Sequence, residues 1–231
     1  MVQNQIVPRF DIYSTVHKGL RAFMTDTLVA VGRLDEADET LPQVLEQVRS
    51  LIEICREHLF HENQFVHPAM EARRPGSACA TASDHVEHEQ AFESIERDVL
   101  RVERQNGAER RTALLNLYRN LALFVADNFK HMHTEECVNN AVLWDTYTDD
   151  ELYQLHASLL AAVSPQTMRA NLRWMLPSAS HPERLEVLMG AQKTLPTPVF
   201  STILQMIRPN LSNPDWNRLT EALSLSVLQP A

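Results

Sequence analysis

Residues 114–142 read LLNLYRNLALFVADNFKHMHTEECVNNAV. Leu114, Leu117, Leu121, Phe124, Asn128, His131, Glu135, Val138 and Val142 recur in steps of three or four, the period of a helix with one inward stripe. The stripe is apolar for its first half and then turns polar, with His131 and Glu135 where a core should face. A carboxylate on such a face is costly unless it is paired or bound to a metal.

Three earlier segments carry the same period. The first runs from about Phe10 to Gly32 through Tyr13, His17, Leu20, Met24, Leu28 and Val31. The second opens near Leu41-Pro42, with proline suited to an early helical position, and continues through Val48, Leu51, Cys55, His58, Glu62, Phe65 and Ala69. The third, about Ala82 to Gln105, aligns His85, His88, Phe92, Ile95, Val99 and Val102. Breaks fall at Arg73-Arg74-Pro75-Gly76-Ser77 and at Asn106-Gly107, and the fourth segment extends from about Ala108 to Asp145. Four long helices with short connections predict an all-α fold, an antiparallel up-down-up-down four-helix bundle over residues 1–147.

Residues 148–231 differ. Thr148-Asp149-Asp150-Glu151 has the pattern of a capping box. Pro165, Pro182, Pro198 and Pro214 then recur every sixteen or seventeen residues, mostly after a residue able to cap a helix. This predicts a smaller array of short helices, with Trp174, Met175, Met206 and Trp216 in its core. The role of this extension is not legible; its helices are the candidate surface for a protein partner or a homo-oligomer.

Composition narrows the class. The chain has 231 residues, 44% of them hydrophobic, with a net charge of −9 and only five glycines. That acidity argues against a sequence-independent grip on nucleic acid. No apolar run approaches the roughly 18 residues of a membrane span. The first ten residues lack the basic and apolar regions of a leader peptide. Cys55, Cys79 and Cys137 are odd in number and show no paired spacing, which reads as reduced thiols in a cytoplasmic protein.

The candidate site is the set of polar residues on the four stripes: His17, His58, Glu62, His85, His88, His131 and Glu135. His58/Glu62 and His131/Glu135 are each four apart, so one helix aims both side chains at one spot. Mixed imidazole and carboxylate donors suit iron, manganese or zinc. Two glutamates from different helices can each bridge two ions in a bundle core. On the third helix, His88 lies about 60° around from His85 and Glu89 about 40° the other way. The stripe continues through His88 and Phe92, which favours His88 as a ligand with Glu89 as the alternative.

These residues give the chain a resemblance to the hemerythrin-like family of His-His-Glu cation-binding domains. The matching motifs are His17 in VHKGLR, His58 and Glu62 in EHLFHENQFVHP, His85 in DHVEHE, and His131 and Glu135 in HMHTEE, spanning roughly residues 10–145. The resemblance implies two iron ions in a non-haem diiron centre. Glu62 and Glu135 would bridge them, His17 and His58 would bind one iron, and His131 would join the third-helix ligands on the other. Zinc or manganese would suit the same donors. Oxygen carriers of the family have two histidines one full turn apart on the third helix, and this chain departs from that pattern. The resemblance therefore implies sensing or binding of oxygen, nitric oxide or iron/redox state, with a diatomic ligand as partner. One alternative is a diiron enzyme that activates oxygen or reduces nitric oxide or peroxide. The other is an interaction module stapled by metal.

Overall fold

The structure is a computed structural model that describes residues 9–223. The residues before Arg9, read above for a leader peptide, lie outside the described residues. Among the described residues every regular element is helical. Two compact units are present. The first is built on Phe23–Ser164, and the second on the chain from Pro165 together with Thr15–Ala22.

In the first unit the long helices are α2 (Leu41–His61), α4 (Cys79–Arg104) and α5 (Gly107–Thr134), with the part of α1 (Ser14–Arg33) from Phe23 onward. Helix α1 is opened by Asp11, whose carboxylate accepts the N–H groups of Tyr13 and Ser14 at 2.9 Å each. Gly107 starts α5 at φ +54°, a left-handed conformation that favours glycine. Side chains such as Val48, Leu51, Phe92, Val99, Leu117 and Leu121 are buried on the faces that the helical period selects. The Phe92 and Phe124 rings meet edge to face at 5.4 Å.

Helices α2 and α5 do not run on without interruption, as their stripes predict. Each passes through a π-helical turn, Glu62–Val66 and Glu135–Asn139, before resuming as α3 (His67–Arg73) and α6 (Asn140–Thr146). The N–H of His67 bonds to the carbonyl of Glu62, and that of Asn140 to Glu135, each a reach of five residues. The extra residue moves the inward stripe along by one position. Val138 is consequently 53% exposed while Asn139 is buried, and Val66 and Met70 take the core places assigned to Phe65 and Ala69. Beyond the turns, Ile12, Val66, Met70, Val142, Leu143 and Leu152 form a second apolar cluster. Helix α7 (Asp149–Ala162) follows, opened by the capping box of Thr148 and Glu151.

The second unit contains α8 (Pro165–Ser178), α9 (His181–Thr194), α10 (Thr197–Ile207) and α11 (Asn213–Ala222), each with a proline at its start. Leu176, Leu188, Leu204, Ile207, Trp216 and Leu219 form its core, with Met175 and Met206 packed against it. The buried Arg184 binds the carbonyls of Leu176, Pro177 and Ala179, closing the end of α8. Gly19 lets the Thr15–Ala22 stretch approach α8 closely, because a Cβ there would lie 2.8 Å from the Met175 Cα.

Glu183 joins two contacts in this unit. It accepts the Ser180 N–H at 2.7 Å as part of a capping box, and it pairs with Lys18 Nζ at 2.7 Å. Partial burial raises its pKa, but Lys18 and Ser180 outweigh this and lower it from 4.5 to about 2. A folded-state value below the unfolded one stabilises above pH 4.5, and that contribution fades as the pH falls toward 2. With Lys18 37% and Glu183 28% exposed, solvent screening reduces the effect to about 1–2 kcal/mol. Glu183→Gln is expected to lower chemical-denaturation stability by that amount at pH 7. The gap to wild type should close on acidification; a gap constant from pH 7 to 3 would show that the carboxylate charge is irrelevant.

Candidate metal centre

The polar halves of the stripes converge. His58 lies in the last turn of α2 and His131 in that of α5, and Glu62 and Glu135 each begin a π-helical turn. His85 comes from α4 and His17 from α1, both buried. One donor atom from each of His17, His58, Glu62 and Glu135 can be chosen so that all four lie within 4.8 Å of one another. The same holds for Glu62, His85, His131 and Glu135. Both glutamates therefore belong to both groups.

The oxygen positions follow that division. Glu62 Oε1 lies 3.2 Å from His58 Nε2, and its Oε2 lies 3.4 Å from His85 Nε2. Glu135 Oε2 lies 3.3 Å from His131 Nε2, and its Oε1 lies 3.9 Å from His85 Nε2. His85 Nε2 and His131 Nε2 are 3.2 Å apart. Two donors bound to one ion at about 2.1 Å are separated by about 3.0 Å at a right angle and about 3.4 Å at the tetrahedral angle. Most of these contacts fall in that range, so the residues fit a metal without large rearrangement.

Without a cation the same groups hold each other's charges. Burial opposes ionisation of Glu62, but His58 and His85 outweigh it and bring its pKa well below the usual carboxylate range. Burial and the charge of Glu62 oppose ionisation of Glu135, and contacts with His131 and His85 prevail, lowering its pKa. Burial disfavours charge on His85, yet Glu135 and Glu62 raise it to about 9. His131 is raised too: burial is outweighed mainly by Glu135.

Outer contacts orient the rings. His85 Nδ1 donates to Asn63 Oδ1 at 2.9 Å, and His131 Nδ1 donates to Asp84 Oδ2 at 3.0 Å. Each leaves its Nε2 facing the cluster. Asn63 and Asp84 are absent from the sequence-derived set; their one signal was adjacency to Glu62 and His85. A buried polar chain runs alongside. Asn139 donates to the hydroxyls of Tyr13 and Thr81 at 3.4 and 3.3 Å, and Thr81 meets His67 Nε2 at 3.2 Å. The His67 ring in turn stacks on His85 at 4.8 Å. Tyr13 thus lies near the site: burial and the charges of Glu135 and Glu62 raise its pKa well above 10.

The two third-helix candidates are placed very differently. His88 is buried, with its ring edge-on to His131 at 4.8 Å, and its Nδ1 has no hydrogen-bond partner among the described residues. It is in neither donor group. Burial, then the positive charges of His131 and His85, lower its pKa to about 4, so the ring is neutral. Glu89 is exposed and paired with Arg56 at 3.1 Å. Among the remaining histidines, His61 is buried rather than solvent-facing, with Nδ1 on the Glu57 carbonyl, and His133 is exposed beside Cys137.

A bundle-borne cluster of imidazoles around two shared carboxylates defines a class of helical cation-binding proteins. The family model for the hemerythrin HHE cation binding domain matches residues 10–139, and the chain belongs to that family. No curated protein and no solved structure matched the chain. No helix among the described residues is long and apolar enough to cross a membrane.

Proposed function

We propose that this is a cytoplasmic, non-haem diiron-binding protein of the hemerythrin-like type, which senses or binds oxygen, nitric oxide or the iron/redox state. The observation that carries this reading is the presence of two donor groups sharing Glu62 and Glu135. His17 and His58 would complete one metal position, and His85 and His131 the other. His88 is the further ligand of the second position in preference to Glu89, because it is buried beside His131 with an Nδ1 that has no hydrogen-bond partner among the described residues, whereas Glu89 is held outward by Arg56. Imidazole and carboxylate donors equally suit zinc or manganese, and family membership favours iron.

When bound, the metal pair would supply reversible electron transfer and coordination of a small diatomic ligand. The protein's part is to hold both carboxylates ionised, to present the Nε2 atoms of His58, His85 and His131 inward and to keep the site dry with buried neighbours such as Tyr13 and Phe124. The same reading takes the bundle as antiparallel, up-down-up-down, ending at residue 147, with a helical extension of unknown role from residue 148. Short connections between α1 and α2, α3 and α4, and α4 and α5 support that topology.

Reconstitution with ferrous iron under anaerobic conditions, followed by elemental analysis, should give about two irons per chain. Exposure to air should then produce near-ultraviolet absorption that the metal-free chain lacks. A value near zero would remove the proposal; a stable adduct with oxygen or nitric oxide favours binding, and repeated turnover with a reductant favours an enzyme.

A further inference from the structure

Asp84 contributes no donor to either group, yet it touches one of their members. Its carboxylate lies on α4, is 44% exposed, and reaches across to the nearly fully buried His131 on α5. The contact is to Nδ1, at 3.0 Å. That nitrogen donates to Asp84, so Nε2 is the nitrogen turned toward Glu135 and His85 and the one that would bind an ion. Its neighbour in sequence, His85, is held in the same way by Asn63 from the π-helical turn Glu62–Val66. The His85 and His131 rings are thus each braced by an element other than their own. A carboxylate behind an imidazole fixes its tautomer and rotation and makes it a stronger donor.

We propose that Asp84 is a positioning residue for the ion held by His85 and His131, and that it sets how tightly that ion is retained. The inference rests on the dinuclear reading above. If Asp84 merely tied α4 to α5, its loss would lower the stability of the metal-free fold and leave metal affinity unchanged. If it positions His131, its loss acts on one ion and spares the other.

Anaerobic titration of the full chain with ferrous iron, and separately with cobalt(II) as a visible-absorption probe, distinguishes these. Wild type should show two binding events. Asp84→Asn keeps the shape and removes the charge; it should weaken one event about 10–100-fold and shift the cobalt bands of that event, with the other unchanged. Asp84→Glu, which keeps the charge, should weaken it less. Melting of each metal-free variant, followed by circular dichroism, checks that the fold persists. Two unchanged events in Asp84→Asn, or two events weakened equally, would overturn the positioning role while leaving the dinuclear reading intact. Fewer than two ions in wild type would overturn both.

Discussion

Replacing Glu62 and Glu135 together by alanine is expected to reduce bound metal from about two ions per chain to near zero. Each carboxylate belongs to both donor groups, so the double replacement leaves His17 and His58 at one position, and His85 and His131 with the proposed further ligand His88 at the other. Two or three neutral imidazoles with no carboxylate hold a divalent ion far less well than the charged, carboxylate-sharing set. The comparison variant is Glu89→Ala, which removes an exposed carboxylate paired with Arg56 and should leave metal content unchanged. Without metal, the double variant should melt no lower than metal-free wild type. Two buried carboxylates disappear together with their desolvation cost, and His85 loses the partners that keep it charged. A clearly lower melting temperature would mean that the carboxylates and histidines form net stabilising ion pairs in the absence of metal.

Removing metal from the wild-type chain is expected to have the largest effect on stability. A ligand that binds only the folded state stabilises by about 4 kcal/mol at a thousandfold excess over Kd. For a chain of this size that corresponds to a fall of about 10 °C in melting temperature on chelation. The loss should concentrate where the ligands originate, at the α2 and α5 ends and the two π-helical turns. Amide hydrogen exchange should therefore rise at residues 58–67 and 131–140 more than in α9 to α11. A uniform rise across the chain, or no change in melting, would argue that the cation does not brace these turns.

The π-helical turns themselves were hidden in the sequence. His58/Glu62 and His131/Glu135 read as ordinary i, i+4 pairs, and an uninterrupted helical period carries each stripe onward to Phe65 and Val138. Adding one residue to a turn is a backbone choice. It is selected by what packs next, and here it buries Asn139, Asn140, Val66 and His67. Composition gives no warning of it, since the residues involved are compatible with either turn. The turns place Asn63 against His85 and Asn139 against Tyr13 and Thr81, so the outer contacts of the site follow from them.

By itself the sequence determined the helical class, the convergent histidines and glutamates, and the resemblance that the family match bears out. Helical periodicity is local, and a carboxylate on an apolar stripe is conspicuous because burial is costly without a partner. Only the tertiary structure decided which third-helix neighbour of His85 faces inward. His88 and Glu89 sit at similar angles on either side of it, and the choice rests on packing against Phe124 and His131 and on the outward pull of Arg56. Asp84 and Asn63 likewise needed the fold. Their partners lie 47 and 22 residues away, and no local period relates residues on separate helices.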